Sequence, residues 1–237
     1  MGRLTSLGEL TAAIAHEVSQ PLSGITTNTE TCLGMLSDDP PDIEGARETI
    51  RRTIRDSSRA SDVIARLRAL FSKKEINAEP MDLNEATHEV ISLFLNELQR
   101  NRIILRSEFG DLPNVEGDRI QLQQVMLNLL RNAAEALSMI KDRPRHLLVR
   151  TELDGEYVRF MLRDSGVGFS PEASDRLFDS FYSTKEKGMG IGLSVCRSIV
   201  EAHQGQIWAV PNEGPGSTFV FSLPIKSRKV SIDPDSR

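Results

Sequence analysis

Between Leu4 and Met35 the chain places apolar or small residues at spacings of three and four: Leu4, Leu7, Thr11, Ile14, Val18, Pro21, Ile25, Cys32 and Met35, with Asn28 in the one polar slot. Side chains at that spacing fall on one stripe of an α-helix, and a stripe this long is the a/d seam of a helix packed in a bundle. The spacing predicts a single helix from about Arg3 to Ser37. Pro40 and Pro41 then stop it, because proline cannot continue a helix. A second pattern runs from near Asp42 to about Lys73, with the stripe Ile43, Ala46, Ile50, Ile54, Ser57, Ser61, Ile64, Leu67 and Phe71. Two long amphipathic helices on a short connection predict an antiparallel hairpin. Two helices cannot bury both of their faces, so a second copy is expected to complete a four-helix bundle as a homodimer.

His16 lies midway between Ile14 and Val18, at the f position, on the side of the helix turned away from the seam. An acidic residue, Glu17, follows it at once, and Gln20 shares its face one turn later. An exposed imidazole has a reference pKa near 6.5, so it is mostly neutral and nucleophilic at about pH 7.5. Glu17 can accept a hydrogen bond from one ring nitrogen and so direct the other. Pro21, inside the helix, removes one backbone hydrogen bond and is expected to bend it.

Bulk composition narrows the partners. Of the 237 residues 39% are hydrophobic and 27% charged, as in an ordinary globular protein, and the formal net charge is −5. Nothing in that balance favours nucleic acid or an anionic membrane. The cluster Arg51, Arg52 and Arg55 reads as a solvated helix face. Cys32 and Cys196 each fall in an amphipathic stretch without a partner at metal spacing, and read as small buried groups in a reducing compartment. No apolar run is long enough to cross a bilayer and no signal peptide opens the chain, so direct membrane contact is not expected. The chain opens inside a helical repeat, which suggests an upstream part.

After a polar linker, Glu75 to Pro80, the texture changes to mixed helices and strands. Helices are expected over Asp82–Arg100, capped by Asp82 or Asn84, over Arg119–Ile140 and over Gly190–His203, the last with Gly205 as a C-cap element. Strands are expected over Ile103–Phe109, His146–Leu153, Tyr157–Leu162, Ile207–Val210 and Thr218–Leu223, with a hairpin turn at Asp154-Gly155. Elements that do not strictly alternate predict an α+β sandwich with helices on one face of a mixed sheet. The expected organisation is a hairpin over residues 1–75, a second domain over 76–226 and a disordered tail over 227–237. His88 and His146 sit in ordinary contexts, and His203 ends a helix, where positive charge is favourable.

The second domain carries the pieces of a nucleotide site. Asn128 and Asn132 are four apart on one helix face, beside the stripe Val125, Leu129, Ala133 and Leu137, and two such amides can meet a metal ion or a phosphate. Asp164-Ser-Gly166-Val-Gly168 follows a strand directly; its glycines allow tight turning, and its carboxylate can accept a hydrogen bond from an exocyclic amine such as that of adenine. Gly188-Met-Gly190-Ile-Gly192 opens a helix whose first amides can face phosphate oxygens. It is not a dinucleotide fingerprint, since no strand precedes it. The polar stretch from Ser180 to Lys187 reads as a lid.

Taken in order, these segments resemble the sensor histidine kinases of two-component systems. Ala15-His16-Glu17-Val18-Ser19-Gln20-Pro21-Leu22 is similar to the family's phosphoacceptor box, Asn128-Leu-Leu-Arg131-Asn132-Ala to its N box, and Asp164–Gly168 to its first glycine box. Leu177–Lys185 is similar to the F box, and Gly188–Gly192 with the following Leu193 to the second glycine box. The resemblance spans nearly all of Arg3 to Leu223. It implies a GHKL-type ATP-binding domain in which Asn132 is a ligand of Mg²⁺, with Asn128 and Arg131 near the phosphates. Asp164 would contact adenine, and Gly166 and Gly168 would shape its pocket. Gly188, Gly190 and Gly192 would line the triphosphate side, with Lys185 neutralising it. His16 would be the phosphoryl acceptor, Glu17 its orienting acid, and Gln20 the residue that directs a water during dephosphorylation of a response-regulator receiver domain. Ser180, Glu135 and Gln206 depart from the family's commoner proline, lysine and glycine. Two rival readings stay open: a GHKL ATPase whose hairpin only dimerises, and a nucleotide-binding pseudokinase.

Overall fold

The computed structural model describes residues 2–71, 77–179, 182 and 192–225, the side chains of 2–17, 58–59, 61–71 and 175 apart. The chain divides into two compact units, Met1–Lys73 and Lys74–Arg237.

The first unit is the expected hairpin. Helix α1 (Gly2–Ser37) passes through Pro21 as one continuous element, and α2 (Ile43–Phe71) returns against it. Asp42 caps α2 by accepting the Gly45 N–H at 2.9 Å, while its own N–H donates to Met35 O at 2.9 Å. In α1 the described seam residues Pro21 and Cys32 are buried, and Val18, Ile25, Asn28 and Met35 are half-buried. Asn28 Nδ2 donates to Asp56 Oδ2 at 3.0 Å across the hairpin.

The stripe on α2 is only partly turned to α1, and the side chains of Ser61, Ile64, Leu67 and Phe71 lie outside the described residues. Ala46 is buried as expected, but Ile43, Ile50 and Ile54 are exposed (53%, 47% and 60%). The face turned to α1 instead carries Ala46, Thr49 and Asp56: Thr49 Oγ1 lies 3.6 Å from Met35 Sδ, and Cys32 Sγ 3.7 Å from Ala46 O. Small side chains let two helices approach closely, and the threonine hydroxyl is satisfied by Gly45 O within its own helix. Ile43, Ile50 and Ile54 are left on the other face. With Leu33 and Leu36 of α1 and with Cys32, Ile50 and Ile54 line a groove of about 320 Å³.

The second unit is a mixed five-stranded sheet with helices on one face. Its strands are β2 (Ile103–Phe109), β4 (Arg145–Asp154), β5 (Tyr157–Asp164), β6 (Gln206–Pro211) and β7 (Ser217–Pro224), in the order β2-β4-β5-β7-β6. Only β2 and β4 run parallel. Two short strands not expected from the sequence, β1 (Glu79–Met81) and β3 (Val115–Gly117), pair antiparallel. Three residues are too few for a periodic signal, and β1 begins inside the polar linker. Helices α3 (Leu83–Arg100), α4 (Arg119–Ser138) and α5 (Gly192–Ala202) pack on the sheet.

The strand period of two selects the core: Leu147, Val149 and Thr151 of β4, Val158, Phe160 and Leu162 of β5, and Phe219, Phe221 and Leu223 of β7 are buried. Phe160 and Phe221 stack with centroids 4.9 Å apart. From α4, Leu122, Val125, Met126, Leu129, Leu130, Ala133, Ala134 and Leu137 close the layer. Each fully buried Leu or Met there contributes about 1.5–3 kcal/mol. Asp82 caps α3, accepting the Asn84 and Glu85 N–H groups, and Asp118 caps α4.

Gly205 takes part in the C-cap of α5, as expected. Gly205 N–H donates to Val200 O and Gln204 N–H to Glu201 O, each at 2.9 Å, which is the Schellman pattern. Its left-handed residue is Gln204 (φ 59°) and not Gly205. Gly205 is required for another reason: a Cβ there would lie 2.2 Å from Ser222 O on β7. His203 is no exposed helix-end cation. It is buried, its Nδ1 lies 2.7 Å from Ile199 O, and its Nε2 accepts the Asp118 N–H at 2.9 Å. That pair of contacts requires the neutral ring with the proton on Nδ1.

Candidate functional site

Asp164 is the last residue of β5, and the alternation of that strand turns its side chain into the helix-covered layer, where it is 2% exposed. Burial raises its carboxyl pKa above the ordinary value. Hydrogen bonds from Ser217 and Gly166 work the other way. Oδ2 accepts the Ser217 hydroxyl and Oδ1 the Gly166 N–H, both at 2.7 Å. Each carboxylate oxygen can still accept a further hydrogen bond, which suits recognition of an amine.

The turn after Asp164 is held by close approaches that only glycine permits. A Cβ on Gly166 would lie 2.8 Å from Ala136 Cβ, so the turn rests on α4. Gly168 (φ 67°) would push a Cβ to 2.9 Å from Gly216 O, and Gly216 (φ 94°) would place one 2.0 Å from Asp164 O. Asn212 secures the same junction, donating from Nδ2 to Asp164 O at 2.9 Å and accepting the Thr218 hydroxyl at 2.7 Å.

Asn128, Asn132 and Ala136 follow one another at a spacing of four on α4, so the two amides lie on the face that meets Gly166. Both are half-buried, as is Arg131, and Arg131 and Asn132 are engaged by neighbours. Nδ2 of Asn128 is buried without a hydrogen-bond partner among the described residues. An orphaned buried donor costs about 1–3 kcal/mol unless something accepts from it. The Asn128 amide also neighbours Cys196 of α5, whose thiol burial pushes up to about 12, so this cysteine is an inert packing group.

The structure thus brings together Asp164, Gly166, Gly168 and the face of α4 that carries Asn128 and Asn132. Gly192 opens α5, with no described atom within 4 Å of where its Cβ would be. Lys185, Gly188 and Gly190 lie outside the described residues, as do the expected lid, apart from Tyr182, and the tail over 227–237. His16 and Glu17 fall within α1, but the direction of their side chains also lies outside the described residues; Gln20 is exposed. Sequence reasoning missed Ser217, Gly216, Asn212 and Arg143. Asn212 and Gly216 carry a local turn signal, Asn212-Glu-Gly-Pro-Gly216, and Ser217 opens the strand after it, but the link of all three to Asp164 comes through the β5–β7 pairing.

Comparison with known proteins matches residues 6–75 to the His Kinase A (phospho-acceptor) domain and residues 117–227 to the histidine kinase-, DNA gyrase B- and HSP90-like ATPases. The chain belongs to the sensor histidine kinases of two-component systems. It is 37% identical to the sensor protein FixL of Bradyrhizobium diazoefficiens over 232 residues, covering 94% of this chain and 45% of that protein. It is 34% identical to the sensor histidine kinase TmoS of Ectopseudomonas mendocina, covering 95% of this chain and 23% of that one. The chain therefore spans less than half the length of these curated relatives. The catalytic domain of the histidine kinase ThkA superposes with TM-score 0.56 at 32% identity, over 64% of this chain and 96% of that domain. ThkA in complex with the response regulator protein TrrA matches with TM-score 0.69 at 28% identity, over 94% of this chain and 63% of that one. Among the described residues of this sensor histidine kinase, no helix is long and apolar enough to cross a membrane.

Proposed function

We propose that the chain binds ATP with Mg²⁺ in its second domain, residues 76–226, and moves the γ-phosphoryl group to His16 in its first, residues 1–75. From there the group passes to an aspartate on a separate response-regulator receiver domain. One observation carries this reading: a phospho-acceptor domain and a histidine kinase-like ATPase domain stand on one chain, in that order. The solved complex of the related ThkA with a response regulator supports the nature of the partner. The exposed aliphatic face of the hairpin supports a homodimer. We read the chain as cytoplasmic.

Phosphoryl transfer needs positioning and charge neutralisation more than covalent chemistry from the protein. Asp164, gripped by Ser217 and Gly166, accepts from the exocyclic amine of adenine. Asn128 offers its unpaired amide to phosphate oxygens, with Arg131 beside it. Lys185, Gly188, Gly190 and Gly192 serve the triphosphate side. The family resemblance assigns Asn132 as the protein residue that would hold Mg²⁺, and its amide oxygen is a donor of the hard kind that ion takes. When bound, Mg²⁺ neutralises charge on the β- and γ-phosphate oxygens. Glu17 accepts from one ring nitrogen of His16 and frees Nε2 to attack. Gln20 directs a water in the reverse, phosphatase, direction.

Incubation with ATP labelled at the γ-phosphate tests the reading. Acid-labile, base-stable label on the wild type and none on His16→Gln is the expected outcome. Hydrolysis of ATP without labelled protein would make the chain an ATPase whose hairpin only dimerises; nucleotide binding with neither would make it a pseudokinase.

A further inference from the structure

Arg143 stands in the connection between α4 and β4, outside every motif considered above. Its Nη2 donates to Ser165 O at 3.3 Å and to Gly166 O at 3.1 Å, and its Nη1 lies 3.7 Å from Asp142 Oδ1. Its Nε is buried without a hydrogen-bond partner among the described residues. The neighbouring backbone reinforces the grip: Ser165 N–H donates to His146 O at 3.0 Å, and His146 N–H to Ser165 Oγ at 2.9 Å.

Ser165 O and Gly166 N belong to one planar peptide unit, so fixing one end fixes the other. Arg143 holds the oxygen end of that plane. The nitrogen end donates to Asp164 Oδ1 at 2.7 Å. The turn needs glycine at 166 to rest on Ala136, and a glycine leaves the flanking peptides free to rotate. Arg143 takes away that freedom by gripping two successive carbonyls. We propose that Arg143 is a positioning residue for purine recognition, acting through the Ser165–Gly166 peptide to keep the Asp164 carboxylate turned toward the exocyclic amine of the base. The proposal rests on the reading of Asp164 given above.

The test compares affinities of the full chain for ATP and for purine riboside triphosphate, which lacks only the 6-amino group, by calorimetric titration. A charged hydrogen bond to that amine sets a wild-type preference for ATP of at least about tenfold. Arg143→Met should bring the ratio close to one, mainly by weakening ATP, and Arg143→Lys, which keeps a single donor point, should fall between. A ratio at the wild-type value in Arg143→Met, or equal weakening of both nucleotides, overturns the proposal, because a merely structural role would lower the melting temperature without moving the ratio. Asp164→Asn separates the two levels. If it abolishes the preference while Arg143→Met does not, only the role of Arg143 fails. If it leaves the preference intact, the reading of Asp164 fails first.

Discussion

His203, at the end of α5, accepts the backbone N–H of Asp118 at the start of α4 through Nε2, across 2.9 Å and 85 residues of sequence. One neutral imidazole thereby ties the helix that carries Asn128 and Asn132 to the helix that follows the second glycine box. His203→Ala takes away the partner of the part-buried Asp118 N–H and opens a void where the buried ring stood, and should cost about 2–4 kcal/mol. Urea denaturation checks this: the midpoint should fall with the slope unchanged.

Asp164 should show a conflict between stability and binding. Its pKa is raised in the folded state by burial, from an ordinary value of 3.8. The folded form therefore holds its proton to higher pH than the unfolded form, and stability is lost as pH rises through the folded-state value. Asp164→Asn removes that loss. It should unfold at higher urea than the wild type at pH 7, the gap closing as pH falls below the unfolded-state value, while ATP affinity drops at least about tenfold. A variant less stable than wild type at pH 7 would contradict the sign.

Gly216→Ala should damage the same site from the opposite strand. Its backbone has φ 94°, and its new methyl would stand 2.0 Å from Asp164 O. Neither the strain nor the clash can be relieved locally, so a loss of about 2–4 kcal/mol in stability is expected, with weakened nucleotide binding. Thermal melts with and without ATP measure both. Gly155→Ala, at φ 59° but in open space, is the matched control and should lose only the backbone part.

Ile50→Glu should convert the proposed homodimer to a monomer. Ile50 is 47% exposed beside Leu33 at 67% in the hairpin's outer groove. A two-fold interface counts each substitution twice, so the change removes about 3–6 kcal/mol of apolar burial from the pair. Sedimentation equilibrium should show the mass halved at micromolar concentration, with the second unit still binding ATP.

The strands and helices of the second unit were legible because their patterns are local. Burial alternates at period two in β4 and β5, and a carboxylate caps each of α3 and α4. The hairpin was legible in its length but not in its second face. On α2 an aliphatic stripe through Ile43, Ile50 and Ile54 runs beside a smaller one through Ala46, Thr49 and Asp56, and hydrophobicity alone does not say which of the two meets α1. Close packing between two helices favours the smaller residues, a preference that only the partner helix reveals. At the site, Asp164 and its glycines announce themselves as a strand followed by a tight turn. Ser217 and Gly216 do not, because the contact depends on which strand lies beside β5. Arg143 looks like any loop arginine until the carbonyls it grips are seen. At the end of α5 Gly205 was legible as part of the cap, whereas the left-handed Gln204 before it carries no signal of its own.

The arrangement of α2 has a thermodynamic corollary. An alanine, a threonine and an Asn28–Asp56 bond lie on the inside, while among the described residues Leu33, Leu36, Ile43, Ile50 and Ile54 stand exposed on the single chain. A hairpin paired as proposed would not melt as a solitary object. Its unfolding equilibrium should release two chains from one particle, so that dilution alone loosens it and every tenfold rise in concentration lifts its transition temperature.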